Sequence, residues 1–131
     1  MEIILSQKSK EYLISQGRYQ KVCMTRGRDR RISIFPKPYW DFQERRLEEM
    51  FSDEHEREAV LQLFMPAVEA DLESNGYSVL DIPDQLKKWA QVENDYTIIA
   101  RRCRIEIWSK SNYESYHKEN DGVVLEEGNL M

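Results

Sequence analysis

Arg104-Ile105-Glu106-Ile107-Trp108-Ser109-Lys110-Ser111-Asn112-Tyr113 changes its period in the middle. Ile105 and Ile107 alternate with Glu106, as in a strand with one buried face. From Ser109 the spacing is helical: Ser109 or Ser111 can cap a helix that carries Tyr113 and Tyr116 three apart on one side. The same shape stands earlier, in Arg31-Ile32-Ser33-Ile34-Phe35-Pro36-Lys37-Pro38-Tyr39-Trp40. Arg, two Ile and Lys recur there at an offset of 73 positions, with Phe35 in the place of Trp108.

A second stretch repeats. Leu80-Asp81-Ile82-Pro83 followed by Leu86, Trp89 and Ala90 reads as a short strand, a proline at a helix start and an apolar helical face. Ile3-Ile4-Leu5-Ser6 followed by Tyr12 and Leu13 has the same plan 77 positions before it, with Ser6 where Pro83 stands. The chain is therefore expected to hold two copies of a strand, helix, strand, strand, helix unit, at 1–51 and 67–116. Two copies at so long a period point to a pseudo-symmetric pair of half-repeats in one domain rather than a solenoid.

Between and around these stretches the elements follow from local chemistry. A helix at 9–15 ends at Gly17, and a strand is expected over 19–25. Trp40, Leu47, Met50 and Phe51 share one face of a helix over 39–51. Ser52 or Asp53 caps a second helix, with Glu56 three after Asp53; it carries Val60, Leu61, Phe64 and Met65 and stops at Pro66. Both apolar stripes are expected in the core or at a subunit interface. Asn75-Gly76 marks a tight turn. From Lys118 the chain is acidic and Gly-rich, which predicts a loose tail over 117–131.

The length of 131 residues suits one domain, and 33% charged residues imply a well-solvated surface. Cys23 and Cys103 lack ligand spacing and read as free thiols of a reducing compartment. Neither a leader nor an apolar run long enough for a spanning helix is present, so a cytoplasmic protein is expected. His55 and His117 stand outside any motif that would activate a nucleophile, and no Gly-rich phosphate loop or Cys/His cluster occurs. An enzyme, a metal site and a cofactor are not expected.

The formal charge is −5, and the acid excess lies in the second half: basic and acidic residues number 12 and 11 in residues 1–66, against 7 and 13 in residues 67–131. The cations are nevertheless grouped. Arg26, Arg28, Arg30 and Arg31 crowd one turn, and Arg101, Arg102 and Arg104 crowd the equivalent turn. Either turn is a solvated, edge-protecting loop or a phosphate-contact loop.

These pieces together carry a resemblance. Thr25-Arg26-Gly27 before an apolar strand, Phe35-Pro36 and an aromatic-led helix, Asp81-Ile82-Pro83, and Arg104-Ile105-Glu106-Ile107-Trp108 followed by Lys110 resemble the MraZ family over roughly residues 3–116. That family comprises bacterial regulators of the division and cell-wall gene cluster. The resemblance implies an α+β fold: an AbrB-like, swapped-hairpin, double-split β-barrel with flanking helices. It implies assembly into homo-oligomeric rings and binding to repeated boxes of double-stranded DNA at the nucleoid, without a small-molecule substrate.

The family reads DNA through a D-x-x-x-R signature ahead of each Ile-Pro strand. In the first copy that segment would lie before Met1. In the second, one register places Asn75 and Val79 at the Asp and Arg positions, and the other, aligned on Gly76, places Glu73 and Tyr77 there. Neither supplies the Arg, whose rigid fork suits phosphate or guanine. The candidate DNA-binding residues are thus Glu73, Asn75, Gly76 and Tyr77 from the resemblance, with the two arginine turns from charge alone. A homologue that keeps the assembly and has lost DNA reading is the alternative.

Overall fold

The computed structural model describes residues 1–15, 21–51, 53–64, 67–72, 78–116 and 123–129. The expected turns at Gly17 and Asn75-Gly76, the Ser52 cap, the stop at Pro66, Met65 and His117 lie outside the described residues. So do the side chains of Val60, Leu61, Phe64 and Tyr116.

The elements in chain order are β1 (Glu2–Leu5), α1 (Gln7–Ser15), β2 (Lys21–Arg26), β3 (Ile32–Pro36), α2 (Lys37–Met50), α3 (Glu54–Phe64), β4 (Val68–Asp71), β5 (Ser78–Asp81), α4 (Asp84–Ala90), β6 (Asp95–Arg101), β7 (Arg104–Ser109), α5 (Lys110–Tyr116) and β8 (Val123–Asn129). The fold is α+β with antiparallel sheets. One sheet is a two-stranded ribbon of β1 and β5; the other has six strands in the order β4-β2-β3-β7-β6-β8.

Register exposes a local two-fold relation. The offset of 73 maps Ile32 onto Ile105 and Ile34 onto Ile107, yet β3 and β7 pair Ile32 with Ile107, Ser33 with Glu106 and Ile34 with Ile105. Equivalent residues exchange partners about the Ser33/Glu106 pair. In the ribbon, Ile3 faces Leu80, its own counterpart 77 positions on, and Ile4 faces Val79. In the sheet order β2 and β3 of the first copy thus stand against β7 and β6 of the second.

The helices pack across this boundary between the copies. Helix α1 lies on β6, β7 and β8 as well as β3, and α4 lies on β2, β3 and β7. Tyr12 of α1 donates its hydroxyl proton to the carbonyl of Arg101, while its counterpart Trp89 of α4 donates Nε1–H to the carbonyl of Gly27 at 3.3 Å. Each half thus reaches over to latch the other half's hairpin turn. The core beneath consists of Ile3, Leu5, Leu13, Ile34, Leu80, Ile82, Leu86 and Ile107 with their neighbours.

Two helix starts resolve alternatives in the sequence. Ser109 caps α5, its Oγ accepting from the amide of Asn112 at 3.1 Å, and Asp53 precedes α3, its Oδ1 accepting from the amide of His55 at 2.9 Å. Aromatic pairs sit at both strand-to-helix junctions: Phe35 with Trp40 and Trp108 with Tyr113.

Three expectations are corrected. The loose tail gives way to a strand over 123–129, which pairs with β6 across a bulge at Ile98/Ile99. Composition hid it because β8 is an edge strand with an acidic outer surface and a Gly: a Cβ at Gly128 would overlap the ring of Tyr96 on β6. The carboxylate of Glu126 accepts from the Ser6 amide at 2.9 Å and the Ser9 hydroxyl at 2.6 Å, an acid held at the N-terminus of α1. Secondly, α2 contributes no buried residue to the core; Phe42 is 49% exposed and Met50 68% exposed. Trp40, Leu47 and Phe51 of the expected stripe are half-buried, Trp40 against Phe35. Thirdly, β7 is buried on both faces, Glu106 included.

Cys23 and Cys103 are both free, the first buried in β2 and the second half-buried in the β6–β7 turn. Burial pushes the Cys23 thiol up to about 11. Since the thiolate is the reactive form, an aromatic disulfide reagent at pH 8 is expected to modify one thiol per folded chain, at Cys103. The second should react only on denaturation. Two fast equivalents in the folded protein would contradict this burial.

Candidate functional site

Both arginine turns are hairpin connections, and both use left-handed backbone at non-glycine residues: Asp29 (φ 57), Arg30 (φ 63) and Cys103 (φ 65). In the first turn the amide of Gly27 donates to the carbonyl of Arg31 at 2.8 Å. A Cβ on Gly27 would lie 2.5 Å from both Arg31 Cγ and Ser33 Oγ, so no larger residue fits this path.

The arginines divide into two groups with different surroundings. Arg31, Arg101 and Arg104 turn inward onto one carboxylate. Glu106 is fully buried; its Oε1 accepts from Arg101 Nε at 3.1 Å and from Trp108 Nε1 at 3.2 Å, and its Oε2 accepts from Arg104 Nε at 3.0 Å. Arg31 Nε lies 3.1 Å from the same Oε2 as an ion pair without hydrogen-bond alignment. Burial pulls the Arg31 guanidinium below its ordinary value, and Glu106 acts against that pull. Arg31 and Arg104 are repeat counterparts, so the local two-fold relation brings one from each half to the same oxygen.

Arg26, Arg30 and Arg102 face solvent. Arg26 and Arg30 stand over the Trp89 ring, at 5.2 and 4.2 Å from its centroid. Such cation–π contacts hold a guanidinium in place without neutralising its charge. Helix α4, which carries Trp89, also has Lys87 and Lys88 in its last turn. Arg26 and Arg30 thus form a preorganised pair of cations on the first hairpin, with the exposed Asp29 in the same turn.

The sequence-based candidates therefore separate. Arg26, Arg30 and Arg102 present charge outward. Arg31, Arg101 and Arg104 serve the buried carboxylate. Arg28 lies in the first turn, just before the left-handed Asp29 and Arg30, and its side chain lies outside the described residues. Glu73, Asn75, Gly76 and Tyr77 lie outside them as well. Sequence reasoning did not single out Glu106 or Trp89 as organising residues. The signal for Glu106 was present: an acid at the repeat position of Ser33, two residues from Arg104 and matched by Arg31 in the other copy. For Trp89 no one-dimensional signal exists, because its partners are some 60 positions away. Among the described residues no His, Cys, Asp and Glu group of metal-binding size occurs, and no helix is long and apolar enough to cross a membrane.

Residues 3–62 match the family model of the MraZ protein, described as antitoxin-like. The chain is similar to the "Transcriptional regulator MraZ" of Syntrophomonas wolfei, with 33% identity over 75% of this chain and 68% of the relative. The protein of the same name from Acetivibrio thermocellus is 31% identical over 77% of this chain and 70% of its own length. That of Clostridium beijerinckii is 30% identical over 82% of this chain and 75% of its own.

Glu106→Gln would leave three guanidiniums facing one another around a neutral amide. Breaking a buried ion cluster by removing one partner costs about 3–5 kcal/mol, so Tm in a thermal melt is expected to fall by roughly 10 °C or more. Arg102→Ala, at a solvent-facing position, should stay within about 0.5 kcal/mol of the parent. Equal melting of both variants would remove Glu106 from its organising place.

Proposed function

The chain belongs to the MraZ family, and from that premise we propose that it is a DNA-binding transcriptional regulator. The reading rests above all on relatives named transcriptional regulators that match over most of the chain. The basic first hairpin gives it a physical means. Arg26 and Arg30, held over Trp89, are suited to phosphate contacts, which position a protein on duplex DNA and supply most non-specific affinity. Arg28 and the segment of Glu73, Asn75, Gly76 and Tyr77 complete the proposed contact set. With no signature Arg, base discrimination is expected to be weak at each site and raised by repetition in an oligomer on repeated boxes.

The finer architecture belongs to the same proposal: a single domain of two half-repeats, 1–51 and 67–116, joined through 52–66, with an AbrB-like swapped-hairpin barrel arrangement. The reciprocal latches of Tyr12 and Trp89 support it. Ring assembly through α2 is supported by an amphipathic helix that leaves Phe42 and Met50 outside the core. Action on division and cell-wall genes, in the cytoplasm at the nucleoid, completes the reading. A second reading, an assembly protein that no longer reads DNA, is favoured by one observation: three arginines of the two turns are spent on Glu106.

Titration of a labelled duplex from the DNA upstream of the protein's own gene, against a scrambled duplex at two salt concentrations, separates the two. The first reading expects preference for the native duplex, weakening as salt rises, with affinity lowered several-fold by Arg30→Ala. Equal, salt-insensitive binding of both duplexes, or none, would leave the assembly reading. Light scattering tests the ring: an oligomer is expected, broken by Met50→Glu, and a stable monomer at micromolar concentration would overturn it.

A further inference from the structure

Beside the β6–β7 turn lies a groove of about 550 Å³ that the proposed duplex contacts of the first hairpin do not use. Arg101, Arg102 and Arg104 line it together with Val123 and Leu125 of β8, and Tyr12 borders it. We propose that this groove binds a small phosphate monoester carrying a compact apolar group.

Charge supplies the first argument. Arg101 and Arg104 of the lining share the one charge of Glu106, which leaves one positive charge, and the solvent-facing Arg102 adds a second at the rim. Among the described residues no acidic side chain lines the groove. A phosphate monoester carries about −1.5 to −2 at neutral pH, which this excess can neutralise; a diester brings only one charge per phosphate. Glu106 also fixes Arg101 and Arg104 through their Nε atoms, so both side chains border the groove in set positions, and preorganised forks lose less entropy on binding a phosphate.

Shape supplies the second. Val123 is 61% exposed and Leu125 half-buried, so one side of a strongly basic groove is apolar. Convergent charged groups beside an apolar wall, at a volume within the range of small-ligand clefts, suit a small amphipathic anion. A duplex presents its phosphates on a convex rod and has no apolar part to bury against β8. The two halves differ here in a telling way. In the first, Arg26 and Arg30 lie over the large Trp89 ring; in the second, the counterpart of Trp89 is the smaller Tyr12, whose hydroxyl is committed to the Arg101 carbonyl.

Calorimetric titration of the full chain with phenyl phosphate, inorganic phosphate and phenol tests this without any DNA, so its outcome is independent of the regulator reading. Phenyl phosphate is expected to bind about tenfold tighter than inorganic phosphate, with no measurable heat from phenol. Arg102→Ala should weaken phenyl phosphate by about tenfold, the usual loss for a charged hydrogen bond, and Val123→Asp should abolish its advantage over inorganic phosphate. Arg30→Ala on the other hairpin should change nothing. Both groove positions are solvent-facing, and an unchanged Tm verifies that the variants fold. Absence of binding, equal affinity for phosphate and phenyl phosphate, or indifference to Arg102→Ala would overturn the proposal. So would displacement of phenyl phosphate by a short duplex in a steeply salt-dependent way, which would make the groove a backbone contact.

Discussion

A carboxylate taken wholly out of water is tolerated only where charge and hydrogen bonds replace its hydration. Glu106 meets that requirement with guanidiniums from both hairpins and the indole of Trp108. The arrangement ties β7 to both hairpins, because Arg31 comes from the first turn, Arg101 from the end of β6, and Arg104 and Trp108 from β7 itself. It also explains why β7 is buried on a face where alternation would place solvent. The cluster is not symmetric. One half contributes Ser33 and the other Glu106, so two equivalent arginines converge on a single acid.

That asymmetry runs through the molecule. The same frame, with helices latched onto the opposite half's hairpin, carries two different surfaces. On the first hairpin, aromatic stacking presents Arg26 and Arg30 outward. On the second, the carboxylate draws Arg101 and Arg104 in, and β8 adds an apolar border. A duplicated scaffold thus supports division of labour, since each half can change its surface while the shared core of Ile32, Ile34, Ile105 and Ile107 keeps the strands in register.

Much of this frame was readable in one dimension because it depends on local periodicity. The 2-to-3.6 change at Ser109 located both a strand end and a helix start, and Ser109 is the residue that caps α5. The offsets of 73 and 77 anticipated the repeated element order. What failed was anything set by distant partners. The acidic, Gly-rich composition after Lys118 reads as a loose tail, yet 123–129 form a strand against the edge of β6, where Tyr96 leaves room only for Gly128. The stripe on α2 was rightly recognised as amphipathic, but periodicity gives a face and not the surface it meets.

The sequence by itself determined most of the elements and the family, since these depend on spacing, capping residues and turn chemistry within a few positions of one another. The fate of the charges was decided only by tertiary structure. Seven arginines in two turns are alike in sequence; whether each faces solvent, an indole or a buried acid depends on which strand lies opposite and which helix crosses over. Electrostatic energy depends on distance and on burial in three dimensions, and neither quantity exists until Ser33 has paired with Glu106.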